Sequence, residues 1–379
     1  MEKDIYLAHC SISPLFARAA EREKELADLQ RDRGVLVAAE YVSTLEGLRS
    51  AAAGLLQTAP DNVSYQRNTT EGLCLIANGY PFSPEDRIIS YIHEYPANHY
   101  PWRLQETRGV HLDLLPDRPV NSTGTPRGTC GWDMNDLEQL VTDRTRVVAV
   151  SHVQFASGYA ADLKELGDFC KDRNIDLVLD AAQSFGCIPI YPEECNIAAI
   201  ASSGWKWLLG PVGTGLLYTS EAFREKLGHV MVGSETMQQG IDYLDHRWQP
   251  HQTAKRFEYS TAALSLAGAL EVCLRECHLK HGIEHIWARV SRHIDRLVAQ
   301  LDRDFYTPIL FDSRHRSGIL SLQCPADVDD LARKLMKQHV ITSPRAGYLR
   351  LAPHFYLTDA EIDRAVAILN STIRTCDPK

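Results

Sequence analysis

The spacing of apolar residues changes character at about Val63. From 15 to 56 apolar positions recur at helical intervals, and Glu21, Glu23, Glu25, Arg31 and Arg33 mark solvated faces. Beyond Val63, short apolar runs alternate with helical stretches. The runs predict strands over 87–92, 110–115, 146–153, 176–181, 197–202 and 213–218. Between two of them Leu163, Leu166, Phe169 and Cys170 stand at helical spacing, so 162–173 reads as an amphipathic helix with Asp162 as N-cap. Strand, helix, strand in succession argues for an α/β fold with a mostly parallel sheet covered on both faces. Ligands bind beyond the C-terminal strand ends of such sheets, and Asp180, Gln154 and Ser203 fall at or just past such ends.

The C-terminal third carries a different pattern. A long helical stretch over 261–301, broken near Gly282, is followed by short alternating runs at 319–322 and 348–351. A final helix over 359–374 opens on Thr358-Asp359-Ala360-Glu361, the form of a capping box. The expected organisation is a segment 1–25 packing with a small domain, a large domain over 26–262 and a small α/β domain over 263–379. Residues 116–131, rich in Pro, Gly, Ser and Thr, read as an irregular loop.

Composition narrows the class. The 379 residues exceed one typical core, and 44% hydrophobic with 23% charged residues is ordinary for a soluble globular protein. A net charge of −9 argues against a nucleic-acid footprint. No apolar run has the length of a membrane span, and the first residues lack an apolar signal core, so the expectation is a cytoplasmic protein. The ten cysteines follow no disulfide framework. Cys273, Cys277 and His281 are spaced for one helix face, but no second Cys or His pair at zinc spacing completes a site; reduced thiols and no metal are expected.

The candidate chemistry lies at strand ends. Ile175-Asp176-Leu177-Val178-Leu179 reads as a buried strand that delivers Asp180-Ala181-Ala182-Gln183. A second short run delivers Ser202-Ser203-Gly204-Trp205-Lys206-Trp207. An amine and a carboxylate facing one pocket are what pyridoxal phosphate requires: a lysine for its aldehyde and an aspartate for its ring nitrogen. A dry, aromatic setting favours the neutral amine of Lys206. Taken singly, the same residues also read as a surface lysine in an aromatic turn and an aspartate capping a turn.

Asn68-Thr69-Thr70-Glu71-Gly72 before an apolar helix forms an anion site or a plain N-cap, and Ser203 is a second phosphate candidate. Tyr95 stands where an aromatic would stack on a cofactor ring, or is a packed core tyrosine. Gln183 suits the ring's phenolate oxygen. Either His152 or Gln154 would approach the same oxygen, His152 being equally a structural histidine. Arg350, a cation within the apolar Leu349-Arg350-Leu351-Ala352, needs a partner: a substrate carboxylate or an internal one.

These segments together resemble the class V aminotransferases, pyridoxal phosphate enzymes of fold type I. That group includes cysteine desulfurases, selenocysteine lyases, isopenicillin N epimerase-like proteins, kynureninase and carbon–sulfur lyases. The likeness spans about residues 62–367. It rests on the segments above together with Glu94-Tyr95-Pro96-Ala97-Asn98, Ser151-His152-Val153-Gln154, Arg256-Phe257-Glu258-Tyr259-Ser260-Thr261 and Arg350-Leu351-Ala352-Pro353-His354-Phe355-Tyr356. The resemblance implies a seven-stranded sheet sandwiched by helices and a smaller C-terminal domain. It implies Lys206, Asp180 and Tyr95 as catalytic residues, and Thr69, Thr70, Gln154, Gln183 and Ser203 as further cofactor ligands. Arg350 would bind the substrate carboxylate. Thr261 would reach the phosphate of a neighbouring subunit, making a homodimer with composite sites.

Three departures shape the expected activity. No cysteine precedes Arg350 in Arg345-Ala346-Gly347-Tyr348-Leu349-Arg350, where desulfurases carry their persulfide cysteine; Cys324 and Cys376 lie outside that loop. Trp205 stands where desulfurases have histidine, and Tyr95 replaces a stacking histidine. The expectation is β-elimination on an amino acid, at a C–S bond, with Lys206 removing the α-proton. Transamination and epimerisation share its first steps, and a non-catalytic binding or scaffold protein is the alternative of another class. The loop 232–252, with His246, Trp248 and His251, lines the site or covers a dimer seam.

Overall fold

The computed structural model describes residues 4–118 and 130–376, so most of the loop expected over 116–131 lies outside the described residues. Its strands are β1 (Ile5–Tyr6), β2 (Val63–Gln66), β3 (Arg87–Tyr91), β4 (His111–Leu115), β5 (Thr145–Ser151), β6 (Asp176–Asp180) and β7 (Ala199–Ser203). They continue with β8 (Gly215–Thr219), β9 (Thr307–Pro308), β10 (Leu320–Gln323), β11 (Val340–Ile341), β12 (Ser343–Arg345) and β13 (Tyr348–Leu351). Seven form one sheet in the order β2-β8-β7-β6-β5-β3-β4, with β8 running against the rest. Val147 to Val150 and Leu177 to Leu179 are fully buried, as runs without alternation require in a sheet covered on both faces.

The strands expected from apolar runs are all present, with ends moved by a residue or two. In the large sheet β2 is the strand the pattern hid, as it hid the short β1, β9, β11 and β12 elsewhere. The burial of β2 is complete on both faces although two of its four residues, Ser64 and Gln66, are polar. They bury by bonding: Gln66 Nε2 donates to Ser64 Oγ at 3.1 Å, and Ser64 Oγ to the Leu217 carbonyl. The helix Leu163–Asp172 is capped by Asp162, and Asp359–Ile373 by the Thr358–Glu361 capping box. The long helical stretch divides into Leu264–Val272, a π-helical turn Cys273–Leu279 and Ile283–Gln300 after Gly282, whose φ of 80° ends the first part.

β9, β10, β12 and β13 form a second, antiparallel sheet. β1 pairs in parallel with β11, so Ile5 and Leu7 pack with Leu297, Leu322 and Leu349 in a core of their own. From there the chain runs back over the large sheet. Cys10 accepts Gln183 Nε2 on its carbonyl at 3.0 Å, Ser13 N donates to the Trp205 carbonyl, and Phe16 N to the Leu209 carbonyl. The helix Ala17–Arg33 then packs on Leu264–Val272.

Three buried histidines surround the peptide that follows position 206. His278 Nε2 and His354 Nε2 lie 2.9 and 3.0 Å from the Trp207 carbonyl. His9 bonds the Ala352 carbonyl and the Tyr356 hydroxyl, both at 2.7 Å. Loss of hydration pushes His9 down to about 4. The unfolded chain therefore takes a proton near pH 6.5 that the native state refuses until about 4, and stability falls as pH drops through that window. The loss attached to His9 is on the order of 3 kcal/mol. Urea unfolding at pH 7.5 and 4.5 should show a smaller acid penalty in His9→Gln than in the parent.

Candidate active site

A cavity of about 490 Å³ opens at the C-terminal ends of β5, β6 and β7, where the sheet meets the N-terminus of the helix Thr69–Gly79. Asp180 comes from the end of β6, Ser203 from the end of β7 and Lys206 from the turn after it. Gly215 on β8 lets the helix start come this close: a Cβ there would lie 2.7 Å from the Ser202 carbonyl and 3.0 Å from the Asn68 Cα. Asn68 caps the helix by accepting from Glu71 N at 2.9 Å, leaving Thr69 and Thr70 on the cavity wall. Tyr95 forms the opposite wall, with Lys206 Nζ over its ring at 5.7 Å from the centroid.

Electrostatics in the cavity are set by dehydration. Burial lowers the proton affinity of Lys206, which the Asp180 charge partly restores, while Arg350 and Arg345 lower it further. Burial likewise raises Asp180, against the Ala182 N–H at 2.8 Å and the charge of Lys206. Two polar wall atoms lack a partner: Ser203 Oγ and Gln183 Oε1, both buried. A larger cavity, about 890 Å³, lies between the N-terminal segment and Phe355–Leu357; its wall includes neither Lys206 nor Asp180.

A family model, Aminotransferase class-V, matches residues 21–347. The chain belongs to the class V aminotransferase family. It is thereby a pyridoxal phosphate-dependent enzyme. A probable cysteine desulfurase of Methanothermobacter thermautotrophicus is 26% identical over 337 residues, 84% of this chain and 81% of that protein. An uncharacterized aminotransferase of Bacillus subtilis, YcbU, is 24% identical over 95% of this chain and 92% of its own length. Among solved structures, the cystine C-S lyase C-DES in complex with its product cysteine persulfide superposes with a TM-score of 0.88 at 21% identity, covering 97% of each chain. The apo cysteine desulfurase of Thermococcus onnurineus NA1 gives 0.86 at 22%, over 98% of this chain and 95% of that one. At these identities the structural likeness speaks for the fold.

The cavity fits the family's cofactor. The free N–H groups of the Thr69–Thr70 turn, the two threonine hydroxyls and the unpartnered Ser203 hydroxyl suit a phosphate. Gln183 has already given one Nε2 hydrogen to Cys10, and the other is left for a ring oxygen. Of the residues named from sequence, Thr69, Thr70, Tyr95, Asp180, Gln183, Ser203 and Lys206 line this one cavity.

The others lie elsewhere. Gln154 is buried outside the cavity wall and gives its Nε2 to Glu94 at 3.0 Å. His152 is buried with Nδ1 unpartnered, pushed down to about 4 by burial; its backbone N–H braces the Asp180 carbonyl. Arg350 lies outside the wall, held by the Phe155 carbonyl, Ser343 Oγ at 2.6 Å and the Ser343 carbonyl. Among the described residues no carboxylate pairs with it. Thr261 is exposed in a separate hollow with Tyr65, Arg67 and Glu258. His246 and Trp248 line a further hollow, apart from Lys206, whose wall does not include His251. Among the described residues no three side chains gather as metal ligands, and Cys273 instead bonds the Leu209 carbonyl.

Phe155, on the cavity wall with its carbonyl on Arg350, escaped the sequence reading, as did Cys10 and the role of Glu94. Cys10 reaches the site by its carbonyl, as above. Glu94 stood in a quoted motif without a role. It is buried, accepts from Ser151 N at 2.7 Å, Ser151 Oγ and Gln154 Nε2, and rises to about 7 through burial, with the Asp180 charge adding to the rise. Its native proton is held above the pH at which the unfolded chain releases it. The stabilisation is complete below about 4.5 and is lost as pH rises through 7, on the order of 3 kcal/mol. Glu94→Gln should remove this alkaline loss, read as a smaller difference in urea midpoints between pH 5 and pH 8.

Proposed function

We propose that the chain catalyses β-elimination on an amino acid carrying sulfur on its β-carbon. The observation that carries this reading is Lys206 and Asp180 in one dehydrated cavity, next to unpartnered phosphate donors. Bound pyridoxal phosphate supplies an aldehyde for the lysine and an electron sink for negative charge at the substrate α-carbon.

The chain's own groups do the rest. Lys206, whose ammonium form burial disfavours, would be the nucleophile toward the aldehyde and then the base that takes the α-proton. Asp180 holds positive charge at the ring nitrogen. Thr69, Thr70, Ser203 and the helix N-terminus grip the phosphate, Tyr95 covers the ring, and Gln183 donates to its phenolate oxygen. Arg350 turns its guanidinium to the substrate carboxylate, giving up the Phe155 carbonyl on the cavity wall. That orientation decides which bond at the α-carbon stands ready to break.

The relatives named as cysteine desulfurases and the cystine C-S lyase support carbon–sulfur cleavage. The hairpin β12–β13 before Arg350 carries no cysteine, which favours release of the sulfur product over its transfer to the protein. Transamination is the second reading, favoured by the relative named as an aminotransferase.

Thr261, exposed and away from its own chain's cavity, supports a homodimer in which it serves the partner's phosphate. Exposed Val230, Met231, Val232, Leu244 and Trp248 supply apolar surface for such a seam. The domain limits 26–262 and 263–379, with 1–25 joining the latter, complete this reading. So does a cytoplasmic location, consistent with free cysteines and with no helix among the described residues long and apolar enough to cross a membrane.

Purified protein should be yellow with cofactor, and Lys206→Ala should lose that absorbance; a colourless parent favours the scaffold alternative. Without a keto acid, pyruvate and ammonia should form together with sulfide from cysteine, cysteine persulfide from cystine or a sulfenic acid from sulfoxide analogues. Product that depends on added keto acid overturns elimination in favour of transamination. Sedimentation should give twice the chain mass, and Thr261→Val should lower cofactor retention about tenfold without changing that mass.

A further inference from the structure

The hairpin that carries Arg350 carries a second arginine on the same face. β12 and β13 pair antiparallel, with Ser343 opposite Arg350 and Arg345 opposite Tyr348. Side chains alternate along a strand, so Ser343 and Arg345 share a face with their partners. Arg345 is then the diagonal neighbour of Arg350, about 7–8 Å away. The turn is two residues long: Ala346 at φ 50° and Gly347 at φ 81°, the left-handed pair of a tight hairpin. Arg345 is thereby the last residue of a ladder.

The two guanidiniums differ in what they already hold. Arg350 is buried and bonded to Phe155 and Ser343. Arg345 is exposed, and among the described residues it has neither an ion pair nor a hydrogen bond. Its charge is felt inside the site, where it lowers the proton affinity of both Lys206 and Arg350. The acids of the site are committed: Asp180 accepts from Ala182 N and feels the Lys206 charge, and Glu94 is closed off by Ser151 and Gln154. One α-carboxylate satisfies Arg350 and leaves Arg345 without a counter-charge.

We infer that Arg345 selects substrates whose side chain ends in a second anion, a carboxylate or similar oxyanion beyond the β-sulfur. The inference rests on the amino-acid reading above and adds the substrate class. The rival view, a solvated arginine at a hairpin tip, predicts no such selection.

Two isosteric probes decide between them: S-carboxymethylcysteine, which carries the extra charge, and S-carbamoylmethylcysteine, which does not. Binding to the cofactor-loaded enzyme is read by visible-absorbance titration, and reaction by pyruvate release. The parent should bind the charged probe about tenfold more tightly or better. Arg345→Gln should bring the ratio of dissociation constants close to one, and Arg345→Lys should keep part of it. A parent that shows no preference, that binds neither probe, or whose preference survives in Arg345→Gln overturns the inference. Pyruvate release is independent of that outcome. A charge preference that depends on Arg345 with no pyruvate from either probe keeps the inference and overturns elimination.

Discussion

Everything in the site depends on removing water from between an amine and a carboxylate. In water Lys206 would be an ammonium with no lone pair to act as nucleophile or base, and the Asp180 carboxylate would be screened by solvent. In the cavity, burial raises the proton affinity of Asp180 and lowers that of Lys206, and their mutual attraction opposes both shifts. The pair is poised because these effects compete. A positive ring nitrogen beside Asp180 would favour its carboxylate, while burial favours the unprotonated Lys206 that nucleophile and base chemistry needs.

That dryness is built by the chain ends. The central sheet supplies strand ends, and the N-terminal segment braces the residues behind the cavity wall. Its Cys10 carbonyl orients Gln183, its Ser13 N–H ties down the Trp205 carbonyl, and Phe16 fixes Leu209. The segment is anchored far from the large sheet, through the pairing of β1 with β11. Beneath, His278 and His354 hold the Trp207 carbonyl from the other side. The lysine turn is thus gripped on both flanks by neutral, buried groups, which fixes its position without adding a counter-charge that would keep the amine protonated.

The legibility of this arrangement follows from which forces are local. Parallel strands buried on both faces leave continuous apolar runs, so β3 to β8 and the position of Asp180, Ser203 and Lys206 at their ends could be read directly. Helix starts were equally plain, because Asp162 and Thr358 bond their own backbone two or three residues on. β2 was not, since Ser64 and Gln66 bury through bonds to each other and to a neighbouring strand. Gln154 was placed at a strand end correctly, yet its amide bonds the buried Glu94, a partner 60 residues away that no local pattern announces. The acidity of Glu94 was invisible for the same reason: it is a property of burial.

This division also separates common chemistry from selectivity. The groups proposed to handle the cofactor and the proton sit on the large sheet and the helix it presents, where strand ends and a helix N-terminus fix them by regular geometry. The groups proposed to meet the rest of a substrate, Arg350 and Arg345, ride on the β12–β13 hairpin of the second sheet, while Cys10 and its neighbours arrive from the N-terminus. Those segments touch the site only after long-range folding. A change in the hairpin can therefore alter which amino acid is held while the strand ends that carry Asp180 and the Lys206 turn stay in place, although the charges of Arg345 and Arg350 also bear on the Lys206 amine. In this chain the hairpin is tight, lacks a thiol and leaves the Arg345 guanidinium without a partner among the described residues, which suits the proposed contribution of charge and position rather than covalent chemistry.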